Sequence, residues 1–245
     1  DLKTFAAHGT FGMSVITAVT AQNTKGVTMV QEIEAAVVAA QIDAIFDDIR
    51  VDAVKIGMVS SPSTIKVIAE RLRYYQPAIV VLDPVMVSKS GYQLLRPEAC
   101  ATLVEELLPL ATLVTPNLPE AGVIVGFTVN DKTSMLAAAT QIVRLGATSV
   151  LVKGGHLDNS ADDLLYMGHA WYAGERIATK NIHGTGCTLS SALAANLAVG
   201  KPLPEAVKAS KQYVTLAIRN GLSIGGGCGP THHFVDFFTK AGFMQ

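Results

Sequence analysis

The sequence predicts an α/β fold with a mostly parallel central sheet and helices on both faces. Short runs of Val, Ile and Leu alternate along the chain with longer segments in which apolar residues recur at helical intervals. The 245 residues are 49% hydrophobic but only 6% aromatic, a composition typical of a buried parallel sheet that helices cover. The sequence shows no repeat, low-complexity tract or linker, so residues 1–245 are expected to form one domain.

The predicted strands are short, and several of them stop at glycine, proline or aspartate. Residues 78–82, for example, form a continuous apolar run that ends at Asp83-Pro84, as expected of a strand buried on both faces. In chain order, the predicted strands are residues 13–19, 51–56, 78–82, 111–114 and 149–152, followed by a small hairpin of residues 164–166 and 169–172.

The predicted helices carry apolar residues at spacings of three and four. In residues 33–49, Val38, Ile42 and Ile45 recur at helical intervals, and acidic residues lie on the other face. Gly9 is expected to terminate the first helix. The predicted helices are residues 1–8, 33–49, 63–75, 97–108, 118–125, 134–145, 185–199 and 203–220, and a glycine-rich loop at 225–230 follows the last of them.

Charge and composition argue against several classes of protein. The formal net charge is −1 and the pI is near 6.6, so the basic surface of a nucleic-acid-binding protein is not indicated. Charges, prolines or glycines interrupt every apolar run before it reaches membrane-spanning length. Cys100, Cys187 and Cys228 have no Cys-x-x-Cys spacing, and no signal peptide is recognisable. We therefore expect no zinc site, a cytoplasmic location and a small-molecule partner.

Unusual residues gather at one end of the predicted strands. Gln22, residues 57–58, residues 83–84, Asn117 and residues 153–155 all lie just past the carboxyl end of a strand. In open parallel sheets this edge is where ligands bind. A purely structural role would scatter polar and glycine residues over both ends, so the pattern favours an enzyme.

The segment Asn181 to Cys187 runs directly into the alanine-rich helix 185–199. Gly184 and Gly186 bracket Thr185, which lets a loop approach a ligand with its N–H groups uncovered. The following helix N-terminus favours an anion, and Cys187 stands in the first turn, where thiols are most readily activated. The alternatives are a tight turn and a small buried cysteine.

Asp83, the Asn117–Glu120 pair and Lys153 each permit a structural and a functional interpretation. Asp83 either caps a turn or offers a carboxylate to Mg²⁺ or to a polar substrate group. Asn117 and Glu120 have the spacing of a helix capping box, which is favoured slightly over a carboxylate that acts through the water shell of a metal on nucleotide phosphates. Lys153 closes a buried strand, and an anion is the better explanation for it. Neither a Walker A motif nor a dinucleotide-binding Gly-x-Gly-x-x-Gly follows the first strand.

Together these motifs resemble the hydroxymethylpyrimidine/phosphomethylpyrimidine kinases of thiamine biosynthesis, which belong to the ribokinase superfamily. The resemblance is carried, in order, by residues 21–24, 55–58, 81–86, 115–121, 152–156 and 179–188. The last of these segments is the specific one, because sugar-kinase relatives have aspartate at the position of Cys187. For the opening strand and Ser-Gly-Gly-Ala-Gly loop of the family, the sequence shows no counterpart.

The resemblance implies a ribokinase-like fold and a kinase that uses ATP and Mg²⁺, usually as a cytoplasmic homodimer. It would phosphorylate the hydroxymethyl group of 4-amino-5-hydroxymethyl-2-methylpyrimidine and then the resulting monophosphate. The implied site residues are Gln22, Met58 and Val85 for the pyrimidine, Asp83 and Glu120 for Mg²⁺, Asn117, Lys153, Thr179, Gly227 and Gly229 for the nucleotide, Gly184, Thr185 and Gly186 for an anion hole, and Cys187 as base.

Three alternatives remain at this point. Pyridoxal kinase is the nearest, since cysteine-type members of the superfamily phosphorylate hydroxymethyl groups on pyridine and pyrimidine rings alike; Gln22 and Met58 favour the pyrimidine. A non-catalytic vitamin-precursor binder would have no reason to keep Glu120, Lys153 and the Gly184–Cys187 segment. A cysteine hydrolase would need an oriented base beside Cys187, and His183 is the only local candidate.

Overall fold

The computed structural model describes residues 1–86, 97–158, 160–166 and 169–243, and within these ranges the predicted α/β fold is confirmed. Every helix predicted from apolar spacing is present, with ends that differ by a few residues. The helices are α1 (Leu2–Ala7), α2 (Ala35–Phe46), α3 (Pro62–Tyr75), α4 (Pro97–Thr102), α5 (Leu118–Val125), α6 (Lys132–Arg144), α7 (Thr185–Ala198), α8 (Leu203–Arg219) and α9 (Val235–Lys240).

Two helical segments differ from the prediction. The predicted helix 97–108 is only partly α-helical, because a π-helical turn, Leu103–Leu107, and a 3-10 turn, Leu108–Leu110, follow α4. Helix α9, which follows the glycine-rich loop 225–230, was not predicted. Among the described residues, no helix combines the length and apolarity needed to cross a bilayer.

Three sheets are present in the described residues, and only one of them is parallel throughout. The strands are β1 (Ala18–Asn23), β2 (Gly26–Glu32), β3 (Val54–Ile56), β4 (Val80–Leu82), β5 (Leu113–Val114), β6 (Leu151–Val152), β7 (Asp163–Leu165) and β8 (Ala170–Tyr172). Strands β3, β4 and β5 pair in that order and in parallel, while β6, β7 and β8 form an antiparallel sheet. A parallel bridge between Val114 and Val150 links the two sheets. The prediction of a mostly parallel sheet was therefore too strong, because the predicted hairpin pairs antiparallel with β6 and because β1 and β2 form a separate antiparallel ribbon.

The predicted strand 13–19 was wrong. Its β-branched residues mostly lack a strand partner, and the chain becomes extended only at β1, which pairs antiparallel with β2 as an isolated ribbon. β-Propensity depends on a neighbouring strand, which residues 13–17 do not have. Asn23 builds the hairpin turn by accepting hydrogen bonds from the N–H groups of Lys25 and Gly26 at 2.8 and 3.3 Å. Gln22 consequently lies within this ribbon and not at the end of a parallel strand.

The core is divided between two clusters of apolar side chains, and alternate strand residues enter different clusters. Val81 packs with residues of α7 and α8, whereas its neighbour Leu82 packs with residues of α3, α5 and α6. Leu113 and Val114 alternate in the same way. This period of two is the signature of strands buried on both faces.

Hydrogen bonds between chain segments align the carboxyl ends of the neighbouring strands. The Asp83 N–H donates to the Ile56 carbonyl at 2.9 Å, and the Thr115 N–H donates to the Leu82 carbonyl at 2.9 Å. The Lys153 N–H donates to the Pro116 carbonyl at 2.8 Å. Residues that follow β3, β4, β5 and β6 therefore lie side by side along one edge, as predicted. Gln22 was predicted at the same edge but lies in the β1–β2 ribbon instead.

Candidate active site

Asp83 is the centre of the polar cluster at this edge. Its carboxylate is 1% exposed, and three side chains from three different elements surround it. The Thr115 hydroxyl donates to Oδ1 at 3.1 Å, the Lys153 ammonium donates to the same oxygen at 2.8 Å, and the Ser190 hydroxyl donates to Oδ2 at 3.2 Å. A carboxylate with this many donors is held ionised and immobile.

Lys153 joins the two acidic side chains of the cluster. Its Nζ lies 2.8 Å from Asp83 Oδ1 and 3.9 Å from Glu120 Oε2. Glu120 also accepts the backbone N–H of Asn117 at 2.8 Å, and the Asn117 side chain accepts the N–H of Glu120 at 2.9 Å. The predicted capping box is thus confirmed, and it fixes the Glu120 carboxylate beside the Lys153 ammonium.

Burial and charge pairing shift the pKa values of Asp83, Glu120 and Lys153 in opposite directions. Burial raises the pKa of Asp83, but the ammonium groups of Lys153 and Lys55 outweigh it and leave the pKa below its usual value. Burial lowers the pKa of Lys153, yet the carboxylates of Asp83 and Glu120 leave it above the usual value. For Glu120, burial prevails over the attraction of Lys153 and the pKa is raised. Asp83 and Lys153 are therefore a charged pair at neutral pH.

The N-terminus of α7 faces this pair. Gly184 is the N-cap with φ of +79°, a conformation that glycine adopts without strain, and no side chain caps the helix. A Cβ atom added to Gly186 would lie 3.4 Å from Lys153 Nζ and 3.8 Å from Asp83 Oδ2. The Thr185 hydroxyl donates to the Ile182 carbonyl at 2.7 Å. The loop therefore approaches the cationic Lys153 with a glycine and a helix start, an arrangement suited to phosphate.

Cys187 occupies the third position of α7 and is partly buried. In the described part of the chain, its thiol has no hydrogen bond to a base. His183 forms backbone hydrogen bonds with other residues: its N–H donates to the Gly229 carbonyl at 3.0 Å, and its carbonyl accepts the Thr231 N–H at 3.4 Å. The cysteine–histidine pair that a hydrolase needs is not formed.

Of the three residues predicted to contact the pyrimidine, Met58 and Val85 lie at the same edge of the sheet and Gln22 does not. Met58 and Val85 follow β3 and β4, which pair directly, and both side chains are partly buried. The Met58 carbonyl accepts the Thr17 hydroxyl at 3.0 Å. Gln22 is exposed in the β1–β2 ribbon, so its contact with a pyrimidine remains a prediction.

The predicted nucleotide-binding glycines, Gly227 and Gly229, lie in the glycine-rich loop 225–230, which we call the closing loop. Gly227 donates its N–H to the Thr24 hydroxyl at 3.2 Å, which brings the loop against the hairpin turn. Gly229 packs against Asn181, whose backbone N–H donates to the Thr179 hydroxyl at 3.1 Å. Contact of Thr179, Gly227 and Gly229 with a nucleotide also remains a prediction.

Comparison with known proteins identifies the family. The family profile for phosphomethylpyrimidine kinase matches residues 1–232. A hydroxymethylpyrimidine/phosphomethylpyrimidine kinase from Rhizobium meliloti (strain 1021) is 56% identical over 241 residues, which cover 96% of this chain and 90% of the relative. The crystal structure of phosphomethylpyrimidine kinase from Clostridium difficile 630 is 49% identical with a TM-score of 0.80, covering 89% of this chain and 90% of that chain. The chain belongs to the phosphomethylpyrimidine kinase family.

The predicted resemblance, the phosphotransferase class and the membership of the ribokinase superfamily are thereby confirmed. A second solved structure that is similar to this chain is the ADP complex of pyridoxal kinase from Bacillus subtilis. It is 37% identical with a TM-score of 0.88 and covers 96% of this chain and 91% of that chain. The fold is thus shared between kinases named for pyrimidine and for pyridoxal substrates.

Two residues of the polar cluster around Asp83 were not predicted from the sequence. Ser190 lies one turn beyond Cys187 on α7, and Thr115 directly follows β5. Both are fully buried. The position of Thr115 after a strand was a usable signal, whereas Ser190 is one of several small residues in α7 and only the tertiary contact with Asp83 distinguishes it.

Proposed function

We propose that this chain transfers the γ-phosphoryl group of ATP to the hydroxymethyl group of 4-amino-5-hydroxymethyl-2-methylpyrimidine and then to the monophosphate so formed. The observation that carries the proposal is the approach of Gly186, in the first turn of α7, to the buried Lys153–Asp83 pair. The names of the relatives support the substrate, and the ADP bound to the Bacillus subtilis neighbour supports ATP as donor.

In this reaction the residues of the chain would mainly position groups and stabilise charge. Phosphoryl transfer passes through a loose transition state, so the attacking alcohol keeps its proton until late. The N–H groups of Gly184 and Gly186 would hold the transferring phosphoryl group, and Lys153 would add a positive charge beside it. The Thr185 N–H donates to the Ile182 carbonyl at 3.3 Å and would have to leave it to join them. Cys187, in the first turn, would accept the hydroxyl proton. Asn117 would contribute to the phosphate site from the start of α5.

Asp83 and Glu120 fit a Mg²⁺ ion that is bound mainly by phosphates and water. The fit rests on their hydrogen bonds: Oδ1 of Asp83 accepts from Thr115 and Lys153, Oδ2 accepts from Ser190, and Glu120 accepts from Asn117. Asp83 thus has roughly one of its four lone-pair sites left, whereas Glu120 keeps most of its own. Both carboxylates can accept hydrogen bonds from the waters that Mg²⁺ usually retains. When bound, the ion would neutralise charge on the nucleotide phosphates.

The larger organisation that we propose is a single ribokinase-like domain, with helices on both faces of the β3–β8 layer, assembled as a homodimer. The two apolar clusters share the strands between them, which supports one domain. The β1–β2 ribbon exposes Val19 and Met29, at 55% and 68%. These side chains offer an apolar face to a second copy.

The test is ADP release with MgATP when hydroxymethylpyrimidine and pyridoxal are offered in parallel. We expect turnover on the pyrimidine that is lost in Cys187→Ala, because the proton acceptor is removed. The Cys100→Ala variant is the matched control, since Cys100 lies on α4 and packs against the apolar core. Turnover that survives in Cys187→Ala would contradict the assigned base.

Pyridoxal kinase activity is the second candidate, favoured by the similarity to the Bacillus subtilis enzyme over 96% of the chain. Turnover on pyridoxal alone would replace the proposed substrate with this one. Binding of either ring without ADP release would instead identify a non-catalytic precursor binder.

A further inference from the structure

Asp163, at the start of β7, is a buried carboxylate that the proposed reaction does not use. It is 6% exposed. Its Oδ1 accepts the Gly154 N–H at 2.8 Å, and its Oδ2 accepts the Lys211 ammonium at 2.5 Å. Lys211 extends from α8 and also donates to the Ala161 carbonyl at 2.9 Å. A buried charge needs such compensation, and here the compensation joins α8 to the residue that follows Lys153.

The backbone on both sides of the Lys153 side chain is fixed. Its own N–H donates to the Pro116 carbonyl, and the next N–H, that of Gly154, donates to Asp163. The Gly154 position is crowded, because an added Cβ would lie 1.9 Å from the Asp162 carbonyl oxygen. The Lys153 Cα therefore has little freedom, and its ammonium stays within 2.8 Å of Asp83.

We propose that Asp163 is a positioning residue for phosphoryl transfer: through the Gly154 N–H it fixes the turn that carries Lys153, and Lys211 holds its carboxylate in place. The inference rests on the role of Lys153 in the proposed function. A lysine that stabilises a transferring phosphoryl group acts only over a short distance, so a small displacement of its backbone weakens the effect. A change at Asp163 should therefore lower kcat more than it raises KM for the pyrimidine.

The chain contains a matched control one residue earlier. Asp162 binds a glycine and a lysine in the same manner: its Oδ1 accepts the Gly174 N–H at 3.0 Å, and its Oδ2 accepts the Lys132 ammonium at 2.8 Å. This pair is more exposed, and its glycine is remote in sequence from Lys153. Asp162→Asn thus removes a carboxylate of the same construction and leaves the hydrogen bond from the Gly154 N–H to Asp163 in place.

The experiment measures ADP release by the full chain, with kcat and pyrimidine KM for Asp163→Asn and Asp162→Asn. Asparagine keeps an oxygen that can accept the Gly154 N–H, but it loses the ion pair with Lys211 that holds the side chain in place. We therefore expect Asp163→Asn to lower kcat roughly 10- to 100-fold, with KM changed by less than about twofold. We expect Asp162→Asn to change kcat by less than about twofold. Equal losses of kcat in the two variants would overturn the proposal, as would a loss in Asp163→Asn that only follows the fraction of folded chain.

A double-mutant cycle with Lys153→Met separates positioning from a general structural role. If Asp163 acts through Lys153, adding Asp163→Asn to Lys153→Met lowers kcat no further; a full additional loss would overturn the proposal. A wild-type kcat in Lys153→Met would contradict the role of Lys153 in the proposed function. An inactive Lys153→Met together with a fully active Asp163→Asn would overturn only the proposal that Asp163 positions Lys153. If Asp163→Asn does not fold, Lys211→Gln tests the same link from α8, and unchanged kcat there overturns it.

Discussion

Asp83 and Lys153 hold opposite charges at a place where water reaches neither freely. Their side chains are 1% and 14% exposed, so each depends on the other for compensation. Ser190 and Thr115 complete the set of donors to Asp83. The pair therefore has two effects. It keeps Lys153 protonated, so that the side chain can bind an anion, and it fixes the ammonium group next to the first turn of α7.

Replacing Asp83 with asparagine should destabilise the protein in a pH-dependent manner. Because the folded pKa of Asp83 is lowered, its contribution to the free energy of unfolding is present above the unfolded pKa, which is about 4. It is lost as the pH falls through the lower folded pKa. We expect Asp83→Asn to cost about 3–5 kcal/mol at neutral pH, since Lys153 loses its nearest partner. The cost should begin to shrink as the pH approaches the unfolded pKa of about 4 and should go on shrinking as the pH falls through the lower folded pKa.

Urea unfolding at pH 7 and at successively lower pH measures this difference. The control is Asp52→Asn, whose carboxylate forms a surface pair with Arg50 and should contribute little at any pH. A cost of Asp83→Asn that does not vary with pH would show that packing, and not the charge, is responsible.

The sequence alone revealed Asp83, Lys153 and the Asn117–Glu120 box because each follows a recognisable strand. Their mutual contacts could not be predicted, since distances between side chains depend on the order and twist of the strands. Asp163 shows the limit most clearly. It lies one residue before the predicted strand 164–166 and carries no local signal, and only the fold brings it to the Gly154 N–H.

Among the elements, the helices other than α9 were predictable and the β1–β2 ribbon was not. A helix such as α3 repeats its apolar residues over 14 positions and opens with Ser61 and Pro62 as start signals. No residue of the ribbon is fully buried, so the continuous apolar run that marks the core strands is missing from it. Its position is set by contacts distant in sequence, chiefly those of Thr24 with residues 227 and 228.

Gly227→Ala should release the ribbon from the closing loop. A Cβ atom at residue 227 would lie 2.0 Å from the Thr24 carbonyl oxygen, which is backbone and cannot give way cheaply. The same oxygen accepts the Cys228 N–H at 2.8 Å, so that hydrogen bond would also be strained. We expect faster cleavage by trypsin at Lys25, in the hairpin turn, because the turn opens more often.

Gly226→Ala is the control for this cleavage experiment. Its added Cβ would meet only the flexible end of the Lys25 side chain, at 3.0 Å, which can move aside. Equal cleavage rates at Lys25 in Gly226→Ala and Gly227→Ala would show that the contact with Thr24 does not hold the ribbon.

At the scale of the whole molecule, the two apolar clusters account for the β3–β8 layer and its helices but leave one face of the β1–β2 ribbon uncovered. Ala21 lies opposite Met29 and Val19 lies opposite Gln31, so Val19, Ala21 and Met29 share a face. A two-stranded ribbon is marginal on its own in water. An apolar partner surface would stabilise it, and in a symmetric pair the same face on a second copy can provide that surface.

We therefore predict a homodimer that depends on this face. Sedimentation equilibrium should show a dimer for the parent chain, and Met29→Glu should weaken association at least about tenfold, because a charge would be buried at the centre of the contact. Val123→Glu is the matched control: Val123 is 59% exposed on α5 and lies outside the ribbon. A monomeric parent chain, or equal weakening in both variants, would contradict the pairing. If Met29→Glu is monomeric and also loses turnover on the pyrimidine, the dimer contact orders the ribbon that carries Gln22. If the monomer retains turnover, the contact stabilises the ribbon without contributing to the site.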